Sequence, residues 1–161
     1  MTPRLIALPV LILIALVSVS AWAEKKSVTY TTKMGPMLSR TVTSPGSRAG
    51  HELIQQVRQD MTSSSDQDWD GTTLTNSSQS DLTAGTGTVA GYAVRTHKNG
   101  DQTFYKYQGK LVAVGEGTAR QTTGEGTVEL IGGTGKFSNA RGTGTWSTAK
   151  GQSTIKLDLE Y

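Results

Sequence analysis

Fifteen of the chain's 19 glycines fall between Gly85 and Gly151. That density excludes a helical domain, because glycine costs about 1 kcal/mol at each interior helix position. No three-residue glycine period runs through the chain, so it is not collagen-like. Extended strand is what remains, and the glycines keep to one side of it. Gly124, Gly126, Val128 and Leu130 alternate with Glu125, Thr127 and Glu129. Gly142, Gly144 and Trp146 alternate with Arg141, Thr143 and Thr145. Gly85, Gly87, Val89, Gly91 and Ala93 share a face, as do Leu111, Ala113, Gly115 and Gly117. The glycines therefore continue the apolar faces. Inward glycines let strands bend sharply where a sheet closes on itself. They leave volume that a barrel keeps as a cavity, or they let strands pack tightly and fill it. The pattern fits both outcomes.

The punctuation along the chain gives about eight strands with short connections, as in a sandwich or barrel. Val28–Thr32 is a short β run, and residues 33–50 read as an irregular Gly/Pro/Ser-rich connection. In 51–64, Leu53, Val57 and Met61 alternate as on a strand, with a helix as the competing reading. Strands are then expected at 71–78, 84–97, 102–108, 110–119, 124–131, 141–148 and 153–161. Asn99-Gly100 between two β runs predicts a hairpin with a type I′ turn. The expected core is Val89, Leu111, Val128, Leu130, Trp146, Ile155, Leu157 and Leu159.

The N-terminus reads as an export signal. Arg4 precedes an apolar stretch from Leu5 to Val19, and Ala21-Trp22-Ala23 supplies the small residues of a cleavage site. The stretch is shorter than the ~20 apolar residues that span a bilayer. Residues 1–23 are thus expected to be removed, and 24–161 to form one domain in the periplasm or outside the cell. There is no cysteine, which excludes disulfides, Cys-ligated zinc and thiol catalysis. The basic residues are scattered, so no nucleic-acid stripe forms. The alternation of Ile155, Leu157, Leu159 and Tyr161 resembles the last strand of an outer-membrane barrel. The other strands are Thr/Gly-rich and lack an apolar outer band, so membrane insertion is not expected after signal cleavage.

The segment Ile131-Gly132-Gly133-Thr134-Gly135-Lys136-Phe137-Ser138-Asn139-Ala140-Arg141-Gly142 resembles a Gly-Gly-Thr-Gly-Lys-Phe-x-x-Ala-x-Gly segment of dirigent proteins and relatives of allene oxide cyclase. The resemblance implies an all-β fold, a single antiparallel eight-stranded barrel, with this segment linking two late strands. Its glycines end a strand, and Lys136–Ala140 can make one helical turn that sets Phe137 and Ala140 as a plug in the barrel end. The resemblance also implies a trimer and an apolar substrate in the barrel cavity. It carries no catalytic residue onto this chain.

Two function classes follow. The first is a non-catalytic binder of a small apolar molecule or of an envelope partner. The second is an isomerase or coupling-guiding enzyme like the plant proteins. Arg95 and His97 continue the inward face of Gly91 and Ala93 near a barrel end. With Trp146, they are the candidates for touching a ligand, and their competing reading is a solvated rim. Asp66, Asp68 and Asp70 alternate ahead of Gly71, as in a calcium loop. Position twelve is Ser77 rather than Glu, so this is no EF-hand. The alternatives are a looser calcium site and a solvated acidic turn. No other cofactor is expected. The sequon Asn76-Ser77-Ser78 marks a glycosylation site if it is exposed.

Overall fold

The structure is a computed structural model that describes residues 25–160 except Glu116. Residues 1–23, read from sequence as an export signal, lie outside the described residues. Nine antiparallel strands form one sheet: β1 Lys25–Lys33, β2 Met37–Thr43, β3 His51–Ser64, β4 Thr73–Thr83, β5 Thr86–Thr96, β6 Gln102–Val114, β7 Gln121–Gly133, β8 Arg141–Ala149 and β9 Gln152–Glu160. Eight of them close a ring. From β3 to β9 each strand pairs with the next, β9 pairs along the whole of β1, and β1 returns to β3 through Tyr30↔Ser64 to Lys33↔Met61. The expected all-β barrel is what the chain forms.

Several details differ from the sequence reading. The 33–50 stretch contains β2, which pairs with β3 from Leu53 to Arg58. β1 and β2 thus line the same edge of β3 in succession, joined by Met34-Gly35-Pro36. A side chain at position 35 would collide with the Gln59 carbonyl, so only glycine fits this step. Residues 102–108 and 110–119 are not two strands. Gly109 is paired with Gly126 inside β6.

The Asn99-Gly100 hairpin forms, but with a different turn. Gly100 N–H donates to the His97 carbonyl (3.0 Å), and of the loop residues only Gly100 has positive φ. That is the longer loop that puts one left-handed residue after an ordinary turn. The two-residue turns with positive φ at both positions are Ala84-Gly85 and Lys150-Gly151.

The face of β3 is opposite to the expected one. Leu53 and Met61 are exposed on the outer wall, while Ile54, Asp60 and Thr62 are buried inside. Asp60 tolerates burial because Arg58 neutralises it through two hydrogen bonds, 2.6 and 3.0 Å. The expected core is otherwise present: Val89, Val128, Leu130, Trp146, Ile155, Leu157 and Leu159 are buried, and Leu111 packs against them half-buried.

The two barrel ends differ. At the end where β3 finishes and β4 begins, the 65–72 connection and a short 3-10 turn at Gly135–Phe137 fold across the opening. Trp69, Phe137 and Ala140 are completely buried there. At the opposite end, β2 to β7 run on past the β8–β9 turn, and the barrel flares open.

Candidate functional site

Inside the barrel lies a cavity of about 340 Å³. Its two sides differ chemically. β3 and β4 contribute Gln56, Arg58, Asp60, Asn76, Ser78 and Ser80, whereas the far wall carries Val89, Ala93, Val128, Trp146 and Ile155. Met34 and Arg40, both exposed, also line it, so the cavity opens beside β2. Strand periodicity accounts for the division. Each strand places alternate residues inward; the charged and amide side chains come from β3 and β4, beside Ile54, Leu74 and Leu82, while the other strands add mostly apolar residues and a few hydroxyls such as Thr122 and Thr148.

Part of the polar wall is bonded within the protein. Asp60 accepts from Arg58 and also from the Gly35 N–H (3.0 Å), which fixes the step between β1 and β2. Tyr107 O–H donates to the Asn76 side-chain carbonyl (2.6 Å). Burial raises the Tyr107 pKa, so the phenol stays protonated. The Asn76 sequon therefore faces the cavity rather than solvent.

Trp146 stands on the cavity wall, with its Nε1–H donating to the Gln108 carbonyl (3.2 Å) and its ring 6.1 Å from that of Tyr107 at 83°. The tryptophan lies across two glycines. A Cβ on Gly126 would sit 2.7 Å from Nε1, and one on Gly109 2.5 Å from Cζ2. Of the two outcomes expected for the glycines, the cavity is the one found. Gly109 and Gly126 admit a large ring against the backbone, and the cavity remains beyond it.

Arg95 and His97 do face inward, but into the sealed end beyond the cavity floor. Arg95 is completely buried, and its hydrogen bonds go to hydroxyls: Nη1 to Thr62 and Thr72 (both 2.6 Å) and Nε to Tyr105 (3.4 Å). Its guanidinium lies 4.2 Å from the Tyr30 ring centre and 5.0 Å from that of Trp69. Burial alone would lower the Arg95 pKa, but interaction with Tyr30 and Tyr105 carries it upward. Arg95 Nη2 and Trp69 Nε1 have no hydrogen-bond partner among the described residues.

His97 sits 4.3 Å from the Phe137 ring centre, nearly parallel to it. Its Nδ1–H donates to the Asp68 carbonyl (2.7 Å). Burial lowers its pKa, so Nε2 is free to accept from Thr103 (3.1 Å). A one-way chain of donors follows, from Arg95 to Tyr105, Thr103, His97 and the Asp68 backbone.

The three aspartates of the 65–72 connection do not gather. Asp66 pairs with Lys26 (2.5 Å), Asp68 with Lys136 (2.6 Å) and Asp70 with Lys98 (3.8 Å). The hydrogen bond from Lys136, partly offset by desolvation, lowers the Asp68 pKa. Among the described residues no three acidic or histidine side chains converge on a metal-sized site. The arrangement is three clasps holding the plug.

Sequence reasoning missed Arg58, Asp60, Tyr107 and Trp69, and it read Asn76 as a glycosylation site rather than as part of a cavity wall. The one available signal was Arg58-x-Asp60, two opposite charges on the same face of a strand.

No protein-family model matches the chain, and no curated protein matches it. Solved structures do. A protein of unknown function of the DUF3224 family from Shewanella oneidensis is 15% identical, with a TM-score of 0.51 over 86% of this chain and 96% of its own. A pterocarpan synthase dirigent protein is 12% identical, with a TM-score of 0.50 over 86% and 87%. A protein of unknown function from Clostridium acetobutylicum is 11% identical, with a TM-score of 0.50 over 86% and 99%. At these identities the likeness is one of fold.

Proposed function

We propose that the protein is an exported, non-catalytic binder that holds a small, largely apolar molecule in the barrel. The observation that carries this reading is the cavity itself. At about 340 Å³ it falls within the ~300–1,000 Å³ typical of small-molecule pockets. Its apolar wall would take the body of the ligand, and the Ser78, Ser80 and Gln56 side would accept or donate a few hydrogen bonds. Asp60 fits a binding role, because Arg58 and the Gly35 amide already occupy its carboxylate oxygens. Export fits the apolar stretch at residues 5–19 followed by Ala21-Trp22-Ala23.

A second reading is favoured by the polar groups within the cavity and by the 132–142 segment. It is a coupling-guiding or isomerising enzyme related to dirigent proteins or allene oxide cyclase, with Tyr107 and Asp60 beside the substrate.

Native mass spectrometry of protein purified from its source tests the first reading, together with Ala93→Phe, which fills the cavity from its apolar wall. A bound mass present in the wild type and lost in the variant is expected. A wild type that carries nothing and fails to bind an apolar fluorophore removes the reading. Conversion of a co-purified molecule into a product would favour the second.

A further inference from the structure

The open end of the barrel is apolar and basic together. Most of the large apolar side chains that are exposed among the described residues gather there. Leu38 is 58% exposed, and Met37 and Val42 accompany it on β2. Val114 is 50% exposed at the end of β6, next to Val112. Elsewhere such side chains are scattered, as with Tyr92 on the outer wall of β5 and Met61 on β3. The sealed end is the reverse, with its aromatics buried and its lysines paired to aspartates.

Charge points the same way. Lys33, Arg40, Arg48, Arg120 and Lys150 stand at or beside the open end. Among the described residues they outnumber Glu52 and Asp81. Asp81 is also partnered by His51 (2.8 Å). Arg40 lines the mouth of the cavity and makes no ion pair among the described residues.

We propose that this rim docks the protein on an anionic lipid surface, with the cavity mouth facing the headgroups. Aliphatic side chains at an interface gain by leaving water, and basic side chains among them extend their charges to phosphate. Each basic residue near such a surface contributes about 1 kcal/mol. A second copy is a poorer occupant. Face-to-face pairing would set the basic surplus against itself. The unpaired edge of β2 is also a poor template for another strand, being preceded by Pro36 and bulged between Met37 and Ser39. The dock does not depend on the cavity being occupied, although it would give a ligand a direct path from the bilayer.

Co-sedimentation with lipid vesicles tests the proposal, comparing phosphatidylcholine alone with a mixture of phosphatidylcholine and phosphatidylglycerol. The protein should partition onto the mixed vesicles and leave them at high salt. Arg40→Gln should weaken partitioning about fivefold, and Leu38→Gln should weaken it as well. Both residues are exposed, so the melting curves should match the wild type. Tyr92→Ala and Lys136→Gln, away from the rim, should bind as the wild type does. The cavity-filled Ala93→Phe variant should also bind vesicles, which separates docking from ligand uptake. No preference for the anionic vesicles would overturn the proposal. So would equal losses in the control variants, or dimerisation in sedimentation velocity that the rim substitutions abolish.

Discussion

Removing the indole of Trp146 tests whether the barrel wall is built as described. The ring is buried, rests on the backbones of Gly109 and Gly126, meets Tyr107 edge to face and donates to Gln108. Trp146→Ala loses all of these at once. Truncating a buried aromatic to alanine costs about 3–5 kcal/mol. Within that total the aromatic pair accounts for about 0.5–1.5 kcal/mol and the hydrogen bond for about as much. The neighbours are glycine backbone held in a sheet ladder, so they cannot collapse into the hole. That argues for the upper half of the range. One side of the ring already faces the cavity, which argues against exceeding it. About 4 kcal/mol is therefore expected, or a fall in melting temperature of roughly 10–20 °C for a domain of this size. Trp146→Phe keeps most of the packing but not the donor, and should cost about 1–2 kcal/mol. Urea denaturation measures both, with an unchanged slope showing that the folded state stays compact. A loss under about 1 kcal/mol in Trp146→Ala would mean that the ring does not pack across the two glycines.

Three further outcomes are expected. Gly126→Ala should destabilise the protein by more than its change in size suggests, because the new methyl group meets both the Gln108 carbonyl and the indole; a melting temperature equal to the wild type's would contradict the packing. Stability should fall as the pH drops below about 6.5, the ordinary histidine value from which the folded His97 is depressed: the unfolded chain then binds a proton that the folded one resists. His97→Gln should flatten that slope, and an unaltered pH profile would show that His97 is not the group responsible. Millimolar calcium should leave the melting curve where a chelator leaves it, since Asp66, Asp68 and Asp70 each face a lysine; a calcium-dependent rise lost in Asp68→Asn would restore the cation site.

The strands were legible because alternation is a local property. Val128 and Leu130 follow Gly124 and Gly126 at a period of two, and no neighbour is needed to see it. The inward direction of Arg95 and His97 was legible in the same way, by counting from Gly91 and Ala93. The inner face of β3 was not. Its sequence offers Leu53, Val57 and Met61 on one side and Ile54, Gln56, Arg58, Asp60 and Thr62 on the other, and hydrophobicity favours the first. The second side wins because Arg58 and Asp60 cancel each other's charge at a spacing of two, and Thr62 finds Arg95 across the barrel. These are compensations between side chains, which a hydropathy pattern weighs one at a time. β2 was hidden for a related reason. Every residue in it is exposed, so it has no buried face to print a period on the sequence.

Among the described residues no carboxylate offsets the desolvation of the fully buried Arg95 guanidinium, yet the structure gives it two threonine hydroxyls, Tyr105 and the faces of Tyr30 and Trp69. A neutral hydrogen-bond shell can hold a cation only if its donors and acceptors are oriented, and the one-way chain through Tyr105, Thr103 and His97 supplies that order. Protonating His97 would reverse the chain. Nε2 would become a donor, Thr103 would turn to donate to Tyr105, and the Tyr105 hydrogen would lose its acceptor. A second positive charge would also arise in the same plug as Arg95. The sealed end thus depends on a neutral histidine. Trp69 and Phe137, both fully buried, pack against that histidine edge-on and face-on, so their seat depends on where the hydrogen-bond chain holds its ring. The cavity above needs this floor, because Tyr30 and Tyr105 belong to both the plug and the cavity lining. If the barrel binds a small molecule as proposed, loosening the sealed end, for example with His97→Gln, should speed release of a bound apolar fluorophore without any substitution in the cavity wall, and an unchanged off-rate would show that the floor and the cavity are independent.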